Sequence, residues 1–103
     1  MSDWIDVAAI DEIESGGVML VEINGAEVAV FNIDGEFHAL ADVCTHDGGP
    51  LADGIVEGHE IECPRHGARF DIRTGKVTAP PAYEDINVYP VRVVNGRVQV
   101  RET

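Results

Sequence analysis

Three dipeptides, Asn24-Gly25, Asp34-Gly35 and Asn95-Gly96, limit what this chain can fold into more than any other feature. A two-residue hairpin turn whose twist matches its strands needs φ > 0 at both positions, and Asn, Asp and Gly tolerate that conformation. Each pair stands between apolar, β-rich runs. Val18–Ile23 precedes the first and residues 27–33 follow it; the second leads into Glu36–Ala41; the third separates residues 88–94 from residues 98–101. Repeated hairpins of this kind predict an all-β meander or small barrel. Only residues 8–15 have a spacing that could pass for a helix. That segment is short with a weak apolar face, so a turn or short strand is expected there.

The 103 residues are enough for one domain with a modest core. No apolar run approaches the ~18 residues of a membrane span. Residues 1–10 carry Asp3 and Asp6, no basic residue and no signal-peptide pattern, so a cytoplasmic location is expected. The net charge of −12 is uneven: residues 1–64 hold fifteen acidic side chains and no Lys or Arg, whereas all seven basic residues lie in 65–103. Such a chain repels phosphate backbones, which argues against nucleic acid as a partner. It suits steering toward a basic protein surface, although acidity also serves simply to keep a small protein in solution.

Residues 43–82 differ from their surroundings. They contain many glycines and four of the prolines, with short strands expected at 54–57 and 60–63 around a Gly58-His59 turn. The segment reads as a small subdomain inserted between hairpins of the main sheet. It also carries both cysteines, each with a histidine close behind: Cys44-Thr45-His46 and Cys63-Pro64-Arg65-His66, each followed by glycine-containing loop sequence. A disulfide would be unusual in a cytosolic protein and would leave the two histidines unexplained. Two thiolates and two imidazoles suit a transition metal. A tetrahedral zinc and a two-iron, two-sulfide cluster both fit that set. Zinc fingers group like ligands together, however, and here each short motif supplies one of each kind.

A Cys-x-His motif followed by Cys-x2-His resembles the Rieske [2Fe–2S] centre, and nearly the whole chain is similar to the soluble Rieske-type ferredoxins of bacterial oxygenase systems. The resemblance implies an antiparallel β sandwich or barrel, a single domain over 1–103, and a cluster-binding subdomain at about 43–82. It implies Cys44 and Cys63 on the inner iron, and His46 and His66 on the outer one. Ala79-Pro80-Pro81-Ala82 is similar to the proline loop that covers the cluster in this family. Two ferric ions, two sulfides and two thiolates are neutral together, whereas four thiolates would make a dianion; the histidine form is therefore easier to reduce. High-potential members of the family carry a disulfide and hydroxyl donors at positions that match Gly49, Arg65, Ala68 and Phe70 here. Their absence implies a potential near the low end of roughly −150 to +300 mV.

By the same resemblance the chain is a monomeric one-electron carrier and not itself an enzyme. It would take electrons from a flavin-containing NAD(P)H reductase and pass them to a terminal oxygenase of the aromatic-ring-hydroxylating type, with no membrane partner. Three alternatives stand beside this: a subunit like the small subunit of nitrite reductase, an iron–sulfur protein for redox sensing or cluster assembly, and a zinc-stabilised interaction module. His38, in an expected strand, and His59, in an expected turn, are read as structural or surface residues, and Asp47 as a solvated loop residue. Arg69, Arg73 and Lys76 are expected to alternate outward and pair with nearby acids such as Asp71, while Arg65 is expected at the surface near the cluster. Trp4 and Tyr83 are expected to pack in the core or at its edge.

Overall fold

The computed structural model describes residues 3–43, 50–64 and 67–102. These form eleven strands and one turn of 3-10 helix: β1 (Ile5–Ala9), the helical turn (Ile10–Glu12), β2 (Val18–Ile23), β3 (Ala26–Ile33), β4 (Glu36–Ala41), β5 (Ile55–Glu57), β6 (Glu60–Glu62), β7 (Arg69–Asp71), β8 (Val77–Ala79), β9 (Val88–Tyr89), β10 (Val91–Val94) and β11 (Arg97–Val100). All pairings are antiparallel. The strands make three sheets with the orders β1-β11-β10, β2-β3-β4-β9 and β5-β6-β7-β8. The all-β expectation holds, and in the chain the third sheet falls between β4 and β9 of the second.

The three hairpin turns have the geometry their residues predict. Asn24, Asp34 and Asn95 have φ of 50°, 52° and 50°, and the glycine after each is also positive. The 60–63 and 54–57 runs form β6 and β5, with the turn between them at Gly58. Residues 8–15 end β1 and then make the 3-10 turn, as expected of a short segment with a weak apolar face; the backbone Ala9 N–H donates to the Glu12 carboxylate at 2.7 Å. One segment differs from expectation. Residues 88–94 do not form one strand. Proline at 90 has no N–H for a ladder, so the run divides there, with β9 in the second sheet and β10 in the first.

β3 is the hub. Six consecutive residues, Val28 to Ile33, are buried, which a strand achieves only when both its faces are covered. Its alternation sends Val28 and Val30 into a core with Ala8, Ile13, Ile23, Ala39, Val98 and Val100. Ala29, Phe31 and Ile33 enter a second core with Leu40, Leu51, Ile61, Cys63, Ala68, Phe70, Ile72, Ala82 and Ile86. The second core joins the middle sheet to the inserted one, and so to the region that carries the Cys/His motifs. Asn32, the polar exception in β3, donates from Nδ2 to the Ile13 carbonyl at 2.7 Å and accepts from the Gly35 N–H at 2.8 Å.

Candidate metal centre

Of the four expected ligands, Cys63 lies among the described residues, while Cys44, His46 and His66 lie outside them, as do Asp47, Gly49 and Arg65. Cys63 directly follows β6 and is 1% exposed. Its N–H donates to the Ala68 carbonyl at 2.7 Å, and its carbonyl accepts from Gly67 at 3.1 Å, so Cys63 is paired across the β6–β7 connection. Gly67 has φ 78°, a conformation that a side chain would strain. Ala68 and Phe70 are fully buried in the same core as Cys63, and neither side chain offers a donor.

After the Cys44/His46 motif the described chain resumes, and Leu51 is fully buried in the Cys63 core. Leu51 and Ala52 are tied to Asp42, a residue that the sequence does not single out. Its Oδ1 accepts from the Leu51 and Ala52 N–H groups, both at 2.8 Å. The only signal for it in the sequence is a lone carboxylate at the end of an apolar strand. Gly54 was also unforeseen as a constraint: a Cβ there would run into the Glu62 carbonyl beside β6. The proline loop follows β8, with a cis Pro80-Pro81 bond, Pro80 exposed and Ala82 2% exposed in the Cys63 core. Both Cys/His loops and the proline loop are thus anchored in one apolar core. A buried cysteine sulfur beside the β6–β7 connection, in a dry surround, fits an iron–sulfur cluster.

Arg69 and Arg73 pair with nearby acids as expected. Arg69 donates to Glu57 at 2.7 Å, Glu62 at 2.9 Å and Glu60 at 3.1 Å, bracing the outer face of β5, β6 and β7. Those bonds, first from Glu57 and then Glu60, hold its pKa above the usual guanidinium value. Arg73 pairs with Asp71 at 3.0 Å, and the guanidinium bond holds the Asp71 carboxyl below its usual range. Trp4 lies under Arg92 and Arg101 at 4.4 and 4.9 Å, an edge-packing role. Tyr83 corrects its expectation: it is 83% exposed, because the proline loop turns inward at Ala82 and the next side chain faces out.

His38 sits in β4 opposite Phe31, with a buried Nε2 that has no hydrogen-bond partner among the described residues; burial pulls its pKa down. His59, in the β5–β6 turn, accepts at its carbonyl from Ile72 at 2.7 Å. Among the described residues no three His, Cys, Asp or Glu side chains gather as a metal site, so these two histidines build no second one there. No helix among the described residues is long and apolar enough to cross a membrane.

The model of the Rieske [2Fe-2S] domain matches residues 3–90. The chain is 44% identical over 99 residues to the ferredoxin component of naphthalene 1,2-dioxygenase/salicylate 5-hydroxylase systems of Ralstonia sp., covering 96% of this chain and 95% of that protein. It is 41% identical to the ferredoxin component of the naphthalene 1,2-dioxygenase system of Pseudomonas putida, covering 94% and 93%. Among solved structures, the ferredoxin of carbazole 1,9a-dioxygenase from Nocardioides aromaticivorans IC177 superposes with a TM-score of 0.93 at 31% identity, over 97% of this chain and 98% of that one. A chain of the complex of reduced oxygenase and oxidized ferredoxin in carbazole 1,9a-dioxygenase does so with 0.89 at 35% identity, over 94% and 91%. A Mycobacterium tuberculosis protein provisionally described as an NADH-dependent nitrite reductase small subunit also superposes, with 0.89 at 29% identity, over 100% and 97%. A buried cysteine at a hairpin mouth, the three-sheet fold and these likenesses agree: the chain belongs to the Rieske [2Fe-2S] ferredoxins, the family of ferredoxin components of aromatic dioxygenase systems.

Proposed function

We propose that this chain is a single-domain, monomeric, cytoplasmic one-electron carrier over residues 1–103, with its cluster-binding subdomain at about 43–82. Cys44 and Cys63 hold the inner iron and His46 and His66 the outer one. The donor is a flavin-containing NAD(P)H reductase and the acceptor a terminal ring-hydroxylating oxygenase. When bound, the cluster takes up and releases one electron; this chain's residues hold it, keep water from its thiolate side and present its histidine side to the partner. The observation that carries the reading is the burial of Cys63 in one core with Leu51 and Ala82. It anchors in one place the loops that bear both Cys/His motifs and the loop that would cover the cluster. The chain's acidity favours encounter with basic partner surfaces.

The ligand set is tested by single alanine substitutions. Replacing Cys44, His46, Cys63 or His66 is expected to abolish the Rieske electron paramagnetic resonance (EPR) signal, whereas His38→Ala and His59→Ala retain it. A colourless protein with zinc, in place of a reddish-brown one with equal iron and acid-labile sulfide, refutes the cluster assignment. Reconstitution with a candidate reductase and oxygenase tests the partners. The likeness to the M. tuberculosis protein favours a second reading, an electron-transfer subunit of a nitrite reductase. Turnover with nitrite reductase components and none with an oxygenase would select it.

A further inference from the structure

Asp42 and Leu51 flank the Cys44/His46 motif in the chain, and one carboxylate joins them. Asp42 is 9% exposed, and its backbone N–H donates to the Glu27 carbonyl at 3.0 Å, so its main chain is an extension of the β3–β4 ladder. From that rigid point, Oδ1 accepts the N–H groups of both Leu51 and Ala52. Oδ2 is buried and has no hydrogen-bond partner among the described residues. Leu51 packs in the core that contains Cys63. Asp42 therefore links the sheet that launches the first motif to the core that holds the cysteine of the second. Cys44 follows only two residues later.

We propose that Asp42 is a positioning residue for the cluster: its carboxylate clamps the base of the Cys44/His46 segment and so sets where that half of the ligand set stands relative to Cys63. This rests on the reading that Cys44 and His46 are ligands. A buried carboxylate oxygen receiving two backbone donors makes charge-assisted bonds, among the stronger hydrogen bonds of a folded chain. Without the carboxylate, the Leu51 and Ala52 N–H groups lose that acceptor, while Leu51 keeps its packing in the Cys63 core.

The test compares the reconstituted full chain with Asp42→Ala and Asp42→Asn. Asparagine keeps an oxygen that can accept both N–H groups, and alanine does not. Three readouts are followed: amide exchange at Leu51 and Ala52, the rate of cluster loss to an iron chelator, and the EPR g-values with the midpoint potential. In Asp42→Ala, exchange at those two amides and cluster loss are expected to rise by at least about tenfold, from the loss of two charge-assisted bonds, with shifted or broadened g-values. Asp42→Asn restores most of each. A purely structural contribution would lower stability without moving the g-values of the protein that remains loaded. The clamp is overturned if Asp42→Ala loses its cluster at the wild-type rate with a superimposable spectrum, or if Asp42→Asn is as impaired as the alanine variant. Should Asp42→Ala fail to fold, Asp42→Ser, whose hydroxyl is too short to span the gap, is judged by the same criteria. Absence of a Rieske spectrum from the wild type would instead overturn the ligand reading, which keeps the two failures distinct.

Discussion

Leu51→Ala probes the joint between the first ligand segment and the core. Leu51 is fully buried, and it packs in a core with Leu40, Ile61, Cys63, Phe70 and Ile72. Half of that core is carried by strands locked in ladders, which limits how far its wall can collapse into the space that the lost carbons leave. Substitutions of this kind cost about 2–5 kcal/mol, and about 3 kcal/mol is expected here. For a domain of this size, whose whole stability is typically about 5–15 kcal/mol, that is a fall of about 12–24 °C in Tm. The control is Leu20→Ala, which removes the same atoms from a residue that is 52% exposed on β2. It should cost about 0.5 kcal/mol or less. Anaerobic thermal melts followed simultaneously by circular dichroism and by cluster absorbance provide the assay. The cluster band of Leu51→Ala should bleach no later than the sheet signal is lost, because the ligand segment and the core share this residue. A Tm within about 4 °C of wild type, or equal losses in the two variants, would refute the claim that one core anchors the ligand loops.

Three further outcomes are expected. Ala68→Ser places a hydroxyl on the fully buried residue whose carbonyl receives the Cys63 N–H. A net bond of about 1 kcal/mol favouring the reduced state would raise the midpoint by about 40 mV in a redox titration; an unchanged or lower midpoint counts against the low-potential argument. For His38, burial sets the folded pKa below the ordinary 6.5 of the unfolded chain. The stability that its neutral ring carries is complete above pH 6.5 and is lost as pH falls toward the folded value; urea melts across this range should show a slope that His38→Gln flattens, and an unaltered slope would exclude the residue. Arg69→Met leaves Glu57, Glu60 and Glu62 without their shared cation, so added salt should stabilise the variant more than the wild type; identical salt responses would show that the three pairs contribute nothing.

Much of this protein is legible one segment at a time. Asn24-Gly25, Asp34-Gly35 and Asn95-Gly96 specify hairpins because φ > 0 is a local property of two residues, and all three turns have it. The pairing of each cysteine with a histidine marks the Rieske family for a similar reason: ligand type and spacing are read along the chain. Tyr83 and Pro90 show where such reading stops. Which way a side chain points after a proline loop, and which sheet takes the residues after a proline, depend on packing partners distant in sequence. Asp42 is the clearest case. Nothing next to it in the chain says that its carboxylate will meet the N–H groups of Leu51 and Ala52. That meeting exists only because β3 is covered on both faces and draws the inserted sheet, with Cys63, onto the same core as Leu51. Local chemistry chose the turns and the Cys/His motifs; long-range burial decided which distant residues meet beside them.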